Sequence, residues 1–221
     1  MHIEPGIVTG AKIALSYVTA AGVGVYSAKL AWDGLREKGL PSLIGRSALT
    51  TALAFSFFQI LPHFPVGVSE VHFILGSTLF LLFGAAPAAI GLALALALQG
   101  LFFAPFDLPQ YGMNVTTLLV PLFALQALAR RIIAPNTAYV DLSYGQALAL
   151  STAYQGGVVA WVAFWAIYGQ GLAGIGGIAT FGAAYMLVIL IEPLVDLAVL
   201  AGAKSVRGLK DSGLVTSRLF A

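Results

Sequence analysis

Long apolar stretches alternate with short polar segments along the chain. A helix needs about 20 mostly apolar residues to cross about 30 Å of hydrocarbon. Stretches of roughly this kind occur seven times, and they predict an all-α integral membrane bundle of about seven transmembrane helices, forming one transmembrane domain over residues 1–221. They run over Lys12–Trp32, Ser47–Leu61, Glu70–Phe83, Pro87–Phe103, Val115–Leu128, Gly145–Tyr168 and Gly177–Ala201.

The third stretch is the weakest of the seven, because Glu70–Phe83 is short for a full crossing. Two interpretations remain open: a short span, or a segment that begins in a loop dipping into the membrane. The small residues and the proline of Gly84–Pro87 predict a tight turn before the fourth stretch. Without that turn the count would be six, and eight spans would also fit.

The composition excludes a soluble domain. Hydrophobic residues make up 59% of the 221 residues and charged residues only 9%, against roughly 25% charged residues in soluble domains. There is no cysteine, so disulfides and thiolate metal ligands are excluded. The net charge of +2 gives no indication of nucleic-acid binding.

The basic residues predict the orientation. With the amino terminus outside, the inner segments are 33–46, 84–87, 129–144 and the tail after 201, and the outer loops contain no lysine or arginine. A bias of this kind favours an outer amino terminus and an inner carboxyl terminus, which requires an odd number of spans. The inner segments hold nine of the eleven basic residues: Arg36, Lys38, Arg46, Arg130, Arg131, Lys204, Arg207, Lys210 and Arg218.

The amino-terminal segment has no signal-peptide pattern. Met1–Gly10 contains Glu4 and no lysine or arginine, and the apolar stretch after it is long enough to span. We therefore expect the first residue to be retained in the mature protein.

All three histidines, His2, His63 and His72, lie in or beside predicted outer segments. Imidazole suits zinc, copper, iron and nickel. Because His2 is the second residue, an α-amine at Met1, the His2 amide and its imidazole can chelate one ion, and His72 or His63 can complete a four-nitrogen plane. Such a plane favours Ni(II) or Cu(II). The alternative is that these histidines lie at the membrane interface and bind no metal.

Several motifs carry a resemblance to a known family. Met1–Gly6 resembles the Met-His-Ile-Pro-Asp-Gly start of cobalt and nickel substrate-capture proteins (CbiM/NikM), the S components of energy-coupling-factor (ECF) transporters. Phe64–Gly76 resembles the family's proline–glycine–serine–histidine segment. Gln99–Phe103 and Gly112–Asn114 resemble its Gln-Ala-Leu-Leu-Phe and Gly-Ala-Asn stretches, and Ile191–Pro193 stands where the family has a glutamate.

The resemblance implies a ligand set. It assigns the Met1 amine, the His2 amide and imidazole, and His72 to the metal, with Asn114 and Ser69 orienting the ligands. The transported ion is then cobalt or nickel, with copper also compatible with the chelate. The chain departs from the family at Glu4-Pro5, which replaces Pro-Asp, and at Glu70, where glycine is usual. Either carboxylate could add an oxygen ligand or change the preferred metal.

The resemblance also implies partners and a location. An S component works with a transmembrane coupling protein and cytoplasmic ATPases in the cytoplasmic membrane of a prokaryote. The chain has no Gly-x-x-x-x-Gly-Lys-Ser/Thr phosphate loop of its own. Small residues at four-residue spacing in the first span form a stripe for close helix packing, either against the coupling protein or inside this chain: Ser16, Ala20, Gly24 and Ala28.

Two carboxylates, Glu192 and Asp196, share a face of the last predicted span. Charged groups inside the membrane are costly and often functional. They could relay protons in a secondary transporter, or form a structural pair that includes Lys29. A third hypothesis is a non-transporting membrane subunit with the same fold. An enzyme is not expected, because Ser69 and His72 form no recognisable nucleophile–base set.

Overall fold

The computed structural model describes residues 2–208, so the sequence predictions about Met1, Lys210 and Arg218 lie outside the described residues. Helices dominate, and a small antiparallel hairpin interrupts them. In chain order the elements are α1 (Ile13–Gln59), β1 (Phe64–Val66), β2 (Ser69–Val71), α2 (Gly76–Phe83), α3 (Ala85–Phe102), α4 (Tyr111–Ile132), α5 (Tyr144–Gln170) and α6 (Ile175–Gly208), with 3₁₀ turns at Gly10–Lys12, Pro105–Gln110, Tyr139–Asp141 and Gly171–Gly174.

Helix α1 is bent at its middle. Its 47 residues would measure about 70 Å as a straight helix at about 1.5 Å per residue, more than twice the hydrocarbon thickness. Gly39 interrupts it with φ 78° and ψ 165°, a conformation that glycine adopts at little cost. Pro41 follows and lacks the N–H that a continuous helix would use. The bend separates the first two predicted spans.

Contacts with α3 and α4 show that the two halves of α1 run in opposite directions. Near the start of the first half, Ser16 lies directly beneath Gly112 at the start of α4, and further along Gly34 faces Ala86 at the start of α3. In the second half, the Thr50 hydroxyl donates to the Pro87 carbonyl oxygen at 2.7 Å, early in α3. Phe58 accepts a hydrogen bond from Gln99, late in α3.

The same reversal occurs between α5 and α6. The chain turns at Gly171, where φ is 65°. Leu142 and Ala147, on either side of the start of α5, pack in one cluster with Leu200 near the end of α6. The bundle therefore has two ends. We call the end that contains His2 the histidine end, and the end with the Gly39 and Gly84 turns the far end.

The third predicted span differs most from the structure. Of Glu70–Phe83, only Gly76–Phe83 is helical, and Glu70 belongs to β2. At about 1.5 Å per residue, the eight residues of α2 rise about 12 Å and cannot cross a membrane alone. The preceding hairpin turns at Gly67, with φ 64°, and a side chain there would collide with the Gly177 carbonyl group in α6. The hairpin is thus packed into the bundle.

The helices confirm an all-α, multi-pass membrane protein. Among the described residues, four helical stretches are long and apolar enough to cross a membrane: Gly10–Gln59, Ala85–Phe102, Pro105–Ile132 and Tyr144–Val206. The first and last have 50 and 63 residues, enough for two crossings each. Large apolar side chains such as Val25, Ile44 and Leu190 are exposed on the outside of the bundle, where a lipid environment would accommodate them.

Candidate metal centre

The amino-terminal segment lies beside the hairpin as a third short strand. Ile3 pairs with Ser69 in an antiparallel bridge. The Glu4 amide donates to the Val68 carbonyl oxygen at 3.1 Å, and the Glu70 amide donates to the His2 carbonyl oxygen at 3.0 Å. These two backbone hydrogen bonds fix the position of His2 relative to β2.

Two polar side chains hold this segment from the sides. The Ser69 hydroxyl donates to the His2 carbonyl oxygen at 2.8 Å. The Asn114 side-chain oxygen, in the first turn of α4, accepts from the Ile3 amide at 2.7 Å. Both side chains are buried, so these hydrogen bonds are shielded from water. The structure places Ser69 and Asn114 on the backbone beside His2, where they position it.

His2 and His72 face each other in the interior. Each is only 2% exposed, and their ring centroids are 6.0 Å apart. The His2 Nδ1 lies 2.6 Å from a Glu70 carboxylate oxygen, and the His72 Nδ1 lies 3.2 Å from the Phe73 carbonyl oxygen. The Nε2 atoms of both rings are buried and have no hydrogen-bond partner among the described residues.

Unpartnered buried nitrogens need a physical explanation. Burying a polar atom without a hydrogen bond costs about 1–3 kcal/mol by protein mutational data, and most buried polar atoms have a partner. Neutral imidazole nitrogens are also the protein donors that many transition metals prefer. Two such nitrogens, on rings whose centroids lie 6.0 Å apart, are therefore suited to a metal cation.

The electrostatics favour a neutral His2 beside a charged Glu70. Burial lowers the pKa of His2, and this outweighs the opposing effect of its hydrogen bond to Glu70. The short hydrogen bond from the His2 Nδ1 stabilises the charged form of the Glu70 carboxylate. Burial and the Glu70 charge raise the pKa of Glu4. These interactions favour a neutral His2 ring that donates to an ionised Glu70.

His2, Glu70 and His72 together form a three-residue cluster, which we call the histidine cluster. One donor atom from each lies within 4.8 Å of the others. Metal–nitrogen bonds of about 2.0–2.1 Å separate the ligands of one ion by about 3–4 Å. Small side-chain rotations would therefore bring these donors around one cation.

Two predicted candidates lie outside the histidine cluster. His63 is partly exposed, and its Nδ1 lies 3.1 Å from the Leu61 carbonyl oxygen in the same loop. Glu4 is also partly exposed. Its backbone amide donates to the Val68 carbonyl oxygen between β1 and β2, and its carboxyl group interacts electrostatically with Glu70. The structure therefore brings His2, Glu70 and His72 together and leaves His63 aside.

One buried acid near the site was not singled out from the sequence. Asp107, in the 3₁₀ turn before α4, is 4% exposed, and its Oδ2 has no hydrogen-bond partner among the described residues. Its carboxylate interacts electrostatically with Glu70 and Glu4. Its only sequence signal is that it is the one acidic residue between Ala104 and Asn114. Asp107 adds negative charge beside the histidine cluster.

The intramembrane carboxylates form a second buried cluster, which we call the carboxylate cluster. Glu192 accepts hydrogen bonds from the Ile74 amide at 2.9 Å and the Leu75 amide at 2.7 Å, and also from the Gln155 side chain. Leu75 has φ 52°, an unfavourable region for a leucine. Glu192 thus holds the strained residue between His72 and α2 in place.

Asp196 completes this cluster one turn further along α6. Its two carboxylate oxygens accept from the Ser77 hydroxyl at 2.7 Å and the Thr78 hydroxyl at 2.5 Å, both in the first turn of α2. Negative charge is favourable at a helix amino terminus. The predicted pairing with Lys29 is wrong, because Lys29 lies on the exposed face of α1 and binds Asp33, four residues away, at 3.2 Å.

The stripe of small residues in α1 divides into two parts. Ser16 is buried under α4, and a side chain on Gly112 would collide with it. Ala20 and Gly24 line an apolar groove of about 330 Å³ between α1, α3 and α4, and Ala28 is exposed. The first residue of the stripe, Ser16, therefore packs inside the chain, while the later residues of the stripe face outward.

Comparisons with known proteins agree on the fold and the family. Two crystal structures, described as a transition metal transporter and as a truncated transition metal transporter, superpose with TM-scores of 0.67 and 0.65. They are 20% and 19% identical to this chain. The first match covers 93% of both chains, and the second covers 91% of this chain and 97% of the other.

The comparison with curated proteins gives no match. A family profile described as the cobalt uptake substrate-specific transmembrane region (CbiM) matches residues 2–209. This range includes the histidine cluster, both carboxylates and all described helices, and it confirms the resemblance of the sequence motifs. The chain therefore belongs to the CbiM family.

Proposed function

We propose that this protein captures a divalent transition-metal ion, cobalt or nickel, as the substrate-capture component of an importer. The observation that carries the proposal is the pair of buried, unpartnered Nε2 atoms of His2 and His72 beside the Glu70 carboxylate. Family membership supports it, because the matching profile is described as a cobalt uptake region.

Two ligand sets are compatible with this proposal. In both, His2 and His72 bind the ion. In the first, which the resemblance implies, the Met1 amine and the His2 amide join the His2 Nδ1 and His72 in a four-nitrogen plane. In the second, His2 binds through Nε2, and Met1 is not needed. The two sets differ in the ring nitrogen of His2 that faces the ion.

The proposed topology has seven passes with the amino terminus outside. The two halves of α1, with α3, α4, α5 and α6, supply six passes. The hairpin together with α2 supplies the remaining one, from the histidine end to the far end, where Arg46 donates to the Phe83 carbonyl oxygen at 2.7 Å. The basic residues of segments 33–46 and 129–144 support this orientation. The histidine cluster then faces the outside.

Energy for uptake would come from partners. We propose an ECF coupling protein in the cytoplasmic membrane of a prokaryote and two cytoplasmic ATPases, because the chain lacks a phosphate-binding loop of its own. The outward part of the small-residue stripe, Ala20, Gly24 and Ala28, would lie where another helix can approach closely.

The carboxylate cluster gives less support to a proton-driven transporter. Glu192 and Asp196 accept hydrogen bonds from two backbone amides and three side chains. A proton relay needs carboxylates that can exchange partners during transport, whereas these hold α2 in place. The pattern therefore favours a structural role over a relay.

Metal content of the purified full-length protein tests the proposal. After loading with cobalt or nickel and desalting, we expect about one ion per chain by elemental mass spectrometry. His2→Ala and His72→Ala should each lose the ion. His63→Ala is the matched control, because it removes a nearby histidine outside the histidine cluster, and it should retain the ion. Wild-type protein that never holds metal would instead favour the non-transporting subunit.

Uptake measurements then separate the energy sources. Cells that express the chain with the ATPases and coupling protein should accumulate metal, and cells that express the chain alone should not. Uptake that persists without any ATPase but collapses with the proton gradient would select a secondary transporter instead.

A further inference from the structure

Glu70 determines which nitrogen of His2 carries a hydrogen. An ionised carboxylate can only accept a hydrogen bond. Because Glu70 lies 2.6 Å from Nδ1 of His2, Nδ1 must donate, and in a neutral ring the lone pair is then on Nε2. The hydrogen bond is short and partly buried, and bonds to charged acceptors are roughly twice as strong as neutral ones.

His72 has the same arrangement. Its Nδ1 faces the carbonyl oxygen of Phe73 at 3.2 Å, which also can only accept. The lone pair of the neutral ring is again on Nε2. Both Nε2 atoms are buried without a partner among residues 2–208. Two histidines held in the same tautomer therefore present two equivalent donors.

The spacing of the rings fits a shared ion. With metal–nitrogen bonds of about 2.0–2.1 Å, two imidazoles on one ion have centroids roughly 4.5–6.5 Å apart, depending on the angle at the metal. The His2 and His72 centroids are 6.0 Å apart. The observed centroid distance lies within this range, so the spacing of the two rings is compatible with one shared cation.

We infer that Glu70 is a specificity-determining residue, which fixes His2 so that the ion binds through the Nε2 atoms of His2 and His72 and takes its remaining ligands from oxygen donors. This inference rests on the proposed function. A carboxylate that orients a ligating histidine is common in metal sites, but here the carboxylate stands where the family usually has glycine. The chain thus differs from the four-nitrogen plane that the resemblance implies.

The consequence is a different metal preference. A chelate through the amine, the amide and Nδ1 requires Nδ1 to lose its hydrogen and leave Glu70. Without that plane, the site has no reason to favour square-planar Ni(II) or Cu(II). Two imidazoles with oxygen ligands suit ions that adopt tetrahedral or octahedral geometry, such as Co(II). Relative to a four-nitrogen plane, Glu70 therefore shifts the preference of the site away from square-planar ions and toward Co(II).

Cobalt binding by the full-length protein in detergent tests this inference. We expect Glu70→Ala to weaken Co(II) binding about 10–100-fold, the usual effect of removing such a carboxylate, with Ni(II) affinity maintained or increased because Nδ1 becomes free. Asp33→Ala is the control, because it removes an exposed carboxylate on α1 that lies outside the histidine cluster, and it should leave the Co(II) affinity close to that of the wild type. Glu70→Gln keeps an acceptor for Nδ1 and should recover part of the affinity.

The Co(II) absorption spectrum and X-ray absorption report the geometry directly. Wild-type protein should show two imidazoles with oxygen ligands, and inserting an alanine between Met1 and His2 should leave this spectrum unchanged. A four-nitrogen square-planar Ni(II) spectrum that the insertion abolishes, together with full Co(II) affinity in Glu70→Ala, would overturn the inference but leave the proposed function intact. Absence of metal from every form would overturn the proposed function itself.

Discussion

The histidine cluster and the carboxylate cluster are both buried in the same bundle, yet their hydrogen bonding is opposite. His2 and His72 each keep one nitrogen without a hydrogen-bond partner in the part of the chain that the structure describes. Glu192, which is 0% exposed, accepts three hydrogen bonds, and Asp196 accepts two. Groups whose hydrogen-bonding capacity is used favour a structural role, whereas buried nitrogens with unpaired lone pairs can bind a ligand. Burial alone would not separate the two.

The clusters are also connected. Ile74 and Leu75, which donate to Glu192, come directly after His72 and Phe73 in the chain. The carboxylate cluster therefore fixes one side of the proposed metal site through the backbone, while Asn114 and Ser69 fix the other side. We expect changes in the two clusters to affect metal affinity and stability in different proportions.

The largest difference should come from His72→Ala. It removes a proposed ligand, so we expect the metal affinity to fall about 1,000-fold or more, equivalent to about 4 kcal/mol. The unfolding temperature of the metal-free protein should fall less than in Glu192→Ala, because the change removes one hydrogen bond, from Nδ1 to the Phe73 carbonyl oxygen, and the packing against Phe58, whereas Nε2 has no partner among the described residues. Titration calorimetry and thermal unfolding in detergent measure the two effects. A large loss of metal-free stability with full metal binding would reverse the assignment.

For Glu192→Ala we expect the opposite: a large loss of stability of the metal-free protein and a smaller effect on metal affinity. The substitution leaves two backbone amides and the Gln155 side chain without an acceptor, and each unsatisfied buried group costs about 1–3 kcal/mol. We expect the metal-free protein to lose about 3 kcal/mol or more of unfolding free energy. Glu192→Gln keeps an acceptor and should cost less. Unchanged thermal stability in both variants would contradict the structural role.

A smaller effect is expected for Ser69→Ala, which removes one hydrogen bond to the His2 carbonyl oxygen. Loss of a group that positions a ligand typically weakens metal binding by 10-fold or more, and we expect about 10-fold here. The measurement is the Co(II) dissociation constant, with Ser56→Ala as control, since the Ser56 hydroxyl bonds only within α1. Equal affinities for the two variants would exclude the positioning role of Ser69.

The smallest effect is expected for Asp33→Ala on the surface of α1. Asp33 pairs with Lys29 four residues earlier, and both side chains are more than half exposed. Exposed pairs of this kind contribute about 0.3–0.5 kcal/mol. We expect thermal stability and metal affinity close to those of the wild type. A loss of stability as large as that of Glu192→Ala would show that burial does not determine how much an acidic residue contributes to the stability of this protein.

Hydropathy predicted most of the helices but not the site's framework. Six of the seven apolar stretches correspond to long helical segments, because the thickness of hydrocarbon sets a length that the sequence must meet. The stretch Glu70–Phe83 does not, since its first residues belong to a hairpin of two three-residue strands. Strands this short have too few alternating positions to give a periodic signal.

The candidate residues were predicted unevenly for a similar reason. The motif around His2 and the later His72 were visible in the sequence, and the structure brings them together. Asp107 was missed, because a single acid in a loop rich in proline and aromatic residues carries no spacing signal. The pairing of the intramembrane acids with Lys29 was wrong, because hydropathy gives the depth of a residue but not the face of the helix on which it lies.

The sequence by itself determined the membrane class, the family and the types of side chain available for metal binding. These follow from composition and local pattern, which are properties of neighbouring residues. The tertiary structure decided that Glu70 meets His2 across 68 positions of the chain, that the Nε2 atoms of His2 and His72 have no hydrogen-bond partner within residues 2–208, and that Glu192 anchors α2. Such contacts join distant segments, and only the packing of the bundle brings them within hydrogen-bond distance.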